Sequence, residues 1–138
     1  MRERIHLALA SDENYAKGLL VTACSLAERA SREVELAFHI LDGGVCEATW
    51  THLTDAIRGL HPHALFDRIP IAALDSRLSS LPAYRGNTMT YARLALPAVL
   101  PDVDRCVYCD VDFLWLADVA ELWHEMRERD LFWTLPVF

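Results

Sequence analysis

The stretch Asp110-Val111-Asp112 restricts this chain more than any other. It sits inside Cys106-Val107-Tyr108-Cys109-Asp110-Val111-Asp112-Phe113-Leu114-Trp115, where apolar, β-prone residues run into two carboxylates one residue apart and hydrophobicity then resumes. On an extended backbone the period of two puts both acids on one side. Paired acids at the mouth of a buried strand repel each other and lose hydration. A hard divalent cation, which prefers oxygen ligands and commonly carries a phosphate-bearing substrate, offsets both costs.

The chain before this point alternates strand and helix patterns. Ile5-His6-Leu7-Ala8-Leu9-Ala10 reads as a strand buried on both faces. The polar loop Ser11-Asp12-Glu13-Asn14 offers helix caps, and Leu19, Leu20, Ala23, Leu26, Ala27 and Ala30 then recur at helical spacing. Val34 to Ile40 predicts a second strand ending at Asp42-Gly43-Gly44, followed by a helix with Trp50, Leu53, Ile57 and Leu60 on one face. Ala64 to Ile69 predicts a third strand, and Pro70 to Pro82 a short helix or packed loop. Asn87-Thr88-Met89-Thr90 would cap a helix over Tyr91 to Val99, kinked or split by Pro97. Val119 to Met126 reads as helix and Leu131 to Leu135 as a last strand. The alternation predicts an α/β fold around a largely parallel sheet, in a single domain over residues 1–138.

Composition excludes several classes. At 53% hydrophobic and 24% charged the chain is globular rather than disordered. No apolar run reaches membrane-spanning length, and Asp12, Glu13 and Asn14 interrupt any signal peptide after Arg2 and Arg4, so a cytoplasmic location, peripheral to the membrane at most, is expected. A net charge of -7 argues against nonspecific nucleic-acid binding. Cys24, Cys46, Cys106 and Cys109 form no disulfide framework. Residues three apart on a strand point to opposite faces, so Cys106 and Cys109 are expected to be buried and reduced rather than a redox or zinc pair. His61-Pro62-His63 has no neighbouring acid or cysteine to complete a metal site, and His124-Glu125 lacks the second histidine of a zinc-protease helix. Tryptophans 50, 115, 123 and 133 are expected in the core.

In open α/β sheets ligands collect outside the carboxyl ends of the strands. Two polar loops fall there, Asp12-Glu13-Asn14-Tyr15 and Asp110-Val111-Asp112. Tyr15 offers an aromatic face, Asp12 and Asn14 can hydrogen-bond the edge of a planar base, and Arg93 supplies positive charge for a diphosphate. Against this, Asp12 and Asn14 can simply cap the first helix, Tyr15 and Tyr91 can pack, and Arg93 can cover the helix surface with its stem.

Ala10-Ser11-Asp12-Glu13-Asn14-Tyr15, then Thr90-Tyr91-Ala92-Arg93-Leu94, then Tyr108-Cys109-Asp110-Val111-Asp112 resemble the ordered motifs of glycosyltransferase family 8. Phe38-His39-Ile40-Leu41-Asp42 and Glu121-Leu122-Trp123 also fit its pattern. That family includes bacterial lipopolysaccharide galactosyltransferases and glucosyltransferases and the glycogenins. The resemblance implies a GT-A fold (a Rossmann-like nucleotide-diphospho-sugar transferase sheet with flanking helices) and a hexosyltransferase that uses a UDP-sugar with retention of configuration. By position, Asp12 and Asn14 would bind the uracil or ribose side, Tyr15 would stack on the base and Arg93 would contact the diphosphate or donor sugar. Asp110 and Val111 would face the nucleotide sugar, and Asp110 and Asp112 would hold Mn²⁺ or Mg²⁺.

Members of the family are longer, and the resemblance implies that their second half supplies a further metal ligand, the residues at the anomeric carbon and most of the saccharide or lipopolysaccharide acceptor site. Residues 1–138 are therefore expected to be the donor-binding half, as a fragment, a natural truncation or a half that needs a partner. The catalytic residues are unassigned, and the isolated chain is expected to catalyse poorly and to self-associate through its apolar C-terminal edge. A truncated UDP-, metal- or partner-binding module is the non-enzymatic alternative. A haloacid-dehalogenase-type phosphotransferase also ends a strand in D-x-D, but its motif opens the domain, whereas three strand units precede Asp110 here.

Overall fold

The structure, a computed structural model, describes residues 1–71 and 89–128. Its sheet has the order β3-β2-β1-β4 and is parallel throughout, with β1 at Glu3–Ser11, β2 at Val34–Asp42, β3 at Ala64–Pro70 and β4 at Val107–Tyr108. Helix α1 spans Ala16–Arg29 and α2 spans Glu47–Leu60. A 3₁₀ helix at Met89–Ala95 runs into a short α3 at Leu96–Val99, and α4 covers Val119–Glu128. Among the described residues no helix is long and apolar enough to cross a membrane.

The near-continuous burial of β1 and β2 explains this arrangement. Ile5, Leu7 and Leu9 pair in register with Leu36, Phe38 and Ile40, all fully buried, and this face packs against Leu19, Ala23 and Leu26 of α1 and Leu53 and Ile57 of α2. Burying each large side chain contributes about 1.5–3 kcal/mol, so these two strands and two helices hold most of the stability. Ala10 and Leu41 face the other way, into a smaller cluster with Ala92. That cluster seats the 3₁₀ helix that carries Arg93.

The predicted elements up to β3 stand where the sequence places them. Four others differ or lie outside the described residues. The helix over Tyr91 to Val99 is split: its first part is 3₁₀, and Pro97 stands in the first turn of α3, where its missing N–H leaves no bond unmade. β4 is only two residues long, and the extended run expected through Asp112 ends early, because Val111 and Asp112 form a turn. The helix or loop expected over Pro70 to Pro82, the caps Asn87 and Thr88, and the strand over Leu131 to Leu135 with Trp133 and its edge lie outside the described residues, apart from Pro70 and Ile71. Trp123 is buried, and Trp50 and Trp115 are partly buried against the core.

On the second face His6 Nδ1 lies 2.9 Å from His39 Nε2, and His39 Nδ1 lies 3.2 Å from Asp67 Oδ2. Since the carboxylate only accepts, His39 donates from Nδ1 and takes the His6 Nδ1–H at Nε2. Burial, then the charges of His39 and Arg4, push the His6 proton affinity below its ordinary value of 6.5, against a weaker pull from Glu35. Burial does the same to His61, whose Nε2 donates to the Val34 carbonyl at 3.0 Å. Both histidines therefore bind protons more readily when the chain is unfolded. Their contribution to stability is complete above about pH 6.5 and is lost as pH falls through their lowered native values, each at no more than about 1.4 kcal/mol per pH unit. Urea unfolding is expected to show a lower midpoint at pH 5.5 than at pH 7.5, and His6→Gln should flatten that dependence. A midpoint independent of pH across this window would contradict the assignment.

Candidate functional site

Because the strands are parallel, the loops after β1, β2 and β4 emerge on one edge of the sheet, and specific contacts draw them together. The Gly43 amide donates to the Ser11 carbonyl at 2.8 Å, joining the ends of β1 and β2. Gly44 takes φ +115°, which a side chain would oppose, and Asp42 Oδ1 accepts from both the Gly44 and Val45 amides. Arg68 secures this turn from β3 through Asp42 Oδ2 at 2.7 Å and through Glu47, with its guanidinium 4.9 Å from the centre of the Trp50 ring.

In the loop after β1, Asp12 Oδ1 accepts from the Tyr15 amide at 3.2 Å and so caps a three-residue 3₁₀ turn, Glu13–Tyr15. Asp12 thus caps this turn and not α1, whose N-cap, Tyr15, makes no side-chain capping bond. The loop has no buried residue: Asn14 is exposed and Tyr15 is 54% exposed, its ring open rather than packed.

After β4 the Cys109 amide still bonds the Ala8 carbonyl at 3.1 Å, and the chain then leaves the sheet. Arg93 Nη2 donates to Asp110 Oδ1 at 2.9 Å, and its Nε donates to the Thr90 carbonyl at 3.0 Å. The guanidinium lies 4.7 Å from the centre of the Tyr108 ring, and the Tyr108 hydroxyl donates to the same Asp110 oxygen at 3.3 Å. Burial pushes the Tyr108 phenol upward, so it stays protonated as a donor. The structure therefore brings Arg93 and Asp110 together, and both remain part-exposed to a ligand.

The turn itself rests on α1. A Cβ at Gly18 would stand 2.3 Å from the Val111 carbonyl oxygen, one turn on Thr22 Oγ1 donates to the Phe113 carbonyl at 2.8 Å, and Ser25 Oγ accepts the Trp115 amide at 3.0 Å. Gly18, Thr22 and Ser25 recur at helical spacing and form a polar seat for residues 111–115. This seat replaces the extended geometry expected from sequence. The Val111 side chain packs on the core, and Asp112 is exposed. A cleft of about 340 Å³ opens beside Asp112, between Lys17 and Val21 of α1 and Phe113 and Leu114 of the turn.

Sequence reading missed this seat, because small polar residues on a helix carry no hydrophobic signal. Thr22 and Ser25 are in fact buried beside the expected apolar stripe. Cys46 is exposed at the N-cap of α2. Cys109 is buried and Cys106 half-buried, and both are free thiols that burial pushes up to about 12, so they are protonated at neutral pH.

Among the described residues no group of three or more His, Cys, Asp and Glu side chains is placed to hold a metal. The pair Asp110 and Asp112 is an all-oxygen, accessible donor set. Its donor chemistry would suit a hard divalent ion of the Mg²⁺ or Mn²⁺ type, with two protein oxygens as ligands.

The model of the family described as "Glycosyl transferase family 8" matches residues 6–130. The Arabidopsis thaliana protein "Probable galacturonosyltransferase-like 4" is 29% identical over 130 residues, 91% of this chain and 36% of its own length. General stress protein A of Bacillus subtilis (strain 168) is 28% identical over 127 residues, 88% of this chain and 42% of its own length. The galactosyltransferase LgtC, solved with donor and acceptor sugar analogues, superposes with a TM-score of 0.66 at 30% identity over 86% of this chain and 42% of its own. The bifunctional glycosyltransferase WbbM superposes with a TM-score of 0.74 at 20% identity, over 90% of this chain and 21% of its own, which speaks to fold alone. The chain thus spans well under half the length of these relatives. The fold is α/β of the GT-A type, and the chain belongs to glycosyltransferase family 8.

Proposed function

We propose that this chain is the donor-binding part of a retaining, metal-dependent glycosyltransferase that takes a hexose from a UDP-sugar to a saccharide acceptor, of the lipopolysaccharide type by resemblance. The observation that carries this reading is the meeting, at one sheet edge, of the Arg93–Asp110 pair with the exposed Asp112 and the open Asp12–Tyr15 loop. Asp12 and Asn14 offer donors and acceptors to the edge of the uracil or ribose, and the open Tyr15 ring gives a stacking face. Arg93 presents charge to the diphosphate, with Asp110 and Val111 along the ribose and sugar side. Asp110 and Asp112 would hold Mn²⁺ or Mg²⁺, which when bound would neutralise charge on the departing diphosphate. The family assignment favours this use of D-x-D over the phosphotransferase alternative.

Calorimetric titration with UDP tests the reading. Wild type is expected to bind UDP at least about tenfold more tightly with Mn²⁺ than without it, a gain of about 1.4 kcal/mol. Asp112→Ala should remove that gain while leaving affinity for uridine unchanged. Failure of the wild type to bind UDP under either condition would sink the proposal, and an unchanged Mn²⁺ gain in the variant would remove Asp112 from the metal.

A further inference from the structure

Glu13 belongs to the Asp12–Tyr15 loop in sequence but serves a different helix. Its Oε2 accepts from the Cys46 amide at 2.8 Å and its Oε1 from the Thr49 hydroxyl at 2.7 Å, with the Cys46 thiol at 3.5 Å. These partners form the start of α2, thirty-three and more residues away. Cys46, the N-cap of α2, makes no side-chain capping bond of its own. A helix N-terminus leaves backbone donors unmet and favours negative charge, so the Glu13 carboxylate caps α2 from outside the helix. The Cys46 amide first, then the Thr49 hydroxyl, hold this carboxyl below the usual range, so it is ionised at neutral pH.

The same contact acts in the other direction. The 3₁₀ turn Glu13–Tyr15 has no buried residue, so no core packing fixes it. The Gly43–Ser11 bond ends just before it and α1 begins just after. Inside the loop, the Asp12 carboxylate bonds the Tyr15 amide, and the Ser11 hydroxyl just before it donates to the Asp12 carbonyl at 2.9 Å. Among the described residues, Glu13 is the side chain of the turn that hydrogen-bonds another element.

We propose that Glu13 is a positioning residue: through Cys46 and Thr49 it holds the Asp12–Tyr15 turn in the form that receives the base of a nucleotide. This rests on the donor reading above and adds to it a residue with no ligand contact. Glu13 is exposed, so losing it opens no cavity; the cost appears when binding must order Asn14 and Tyr15.

The test uses UDP and inorganic pyrophosphate, each with Mn²⁺, on wild type, Glu13→Ala, Glu13→Gln and Thr49→Val. Glu13→Ala is expected to weaken UDP binding about five- to tenfold, the scale of ordering a few side chains on binding. Pyrophosphate affinity should stay close to wild type, and the thermal midpoint should fall only by the few degrees that loss of a helix cap brings. Glu13→Gln, which keeps an acceptor for the Cys46 amide, should restore most of the loss. Thr49→Val should lose less than Glu13→Ala and add nothing to it in the double variant. Hydrogen exchange at the Tyr15 and Cys46 amides should quicken in Glu13→Ala. A wild type that binds UDP while Glu13→Ala binds it equally well overturns this proposal alone, as does an equal loss of pyrophosphate binding. A wild type that binds pyrophosphate but not UDP overturns the nucleotide reading and this proposal with it.

Discussion

Gly18→Ala is expected to destabilise the protein by about 3 kcal/mol, the upper part of the usual range for overpacking, and to remove Mn²⁺-dependent UDP binding. The added Cβ would meet the Val111 carbonyl oxygen at 2.3 Å, and that oxygen is backbone, so no rotamer change relieves the contact. Either α1 tilts away from the sheet or the turn at Val111 and Asp112 moves. The first loses the packing of Leu19, Ala23 and Leu26, and the second displaces Asp112 and strains the neighbouring Arg93–Asp110 pair. In a chain of this size the stability loss corresponds to a drop in Tm of roughly 10 °C.

Gly59→Ala is the matched control. Gly59 lies in α2 and a Cβ there meets nothing within 4 Å, so alanine should stabilise the helix by about 0.5–1 kcal/mol. Opposite signs for the same substitution in two helices would show that backbone proximity, and not helix propensity, decides at Gly18. Thermal melts and UDP titration with Mn²⁺ read both effects. A Gly18→Ala variant with wild-type Tm and wild-type metal response would refute the seat.

Arg93→Ala is expected to weaken UDP binding roughly 10- to 100-fold, in keeping with about 1.5–3 kcal/mol for hydrogen bonds to charged groups. Arg93 does three things at once: Nη2 bonds Asp110, Nε bonds the Thr90 carbonyl and the guanidinium plane lies over Tyr108. A lysine ammonium is a single point charge and reproduces at most one of these, so Arg93→Lys should recover little. Uridine lacks the diphosphate and should bind Arg93→Ala as it binds wild type. If uridine affinity fell in step with UDP affinity, Arg93 would be acting through the fold and not through the phosphates.

Much of the fold is legible in the residues. β1 and β2 are apolar on both faces because both faces are covered, and Leu19, Ala23 and Leu26, like Leu53 and Ile57, mark the helix stripes that cover one of them. The order of the motifs around Asp12, Arg93 and Asp110 likewise carries the family without coordinates. β4 was harder to read, since two residues carry little periodicity and its ladder continues only through the Cys109 amide. The 3₁₀ form of Met89–Ala95 is also a tertiary outcome: helical spacing does not separate 3.0 from 3.6 residues per turn over seven residues.

The sequence by itself determined the alternation of strand and helix, the two carboxylates at a strand end and the polar loop after β1, because burial period and residue chemistry are local properties. Only the tertiary structure decided what those groups do to one another. It seated the acids on a turn against Gly18, Thr22 and Ser25 instead of an extended strand, and joined Arg93 to Asp110. It also sent Glu13 across to α2 while Asp12 stayed to cap its own loop. The seat, the Arg93–Asp110 pair and the Glu13 contact each join separate elements of the chain, set by how those elements pack on the sheet. No spacing along the chain encodes such contacts, which is why the Asp110-Val111-Asp112 motif could be found from sequence while its support could not.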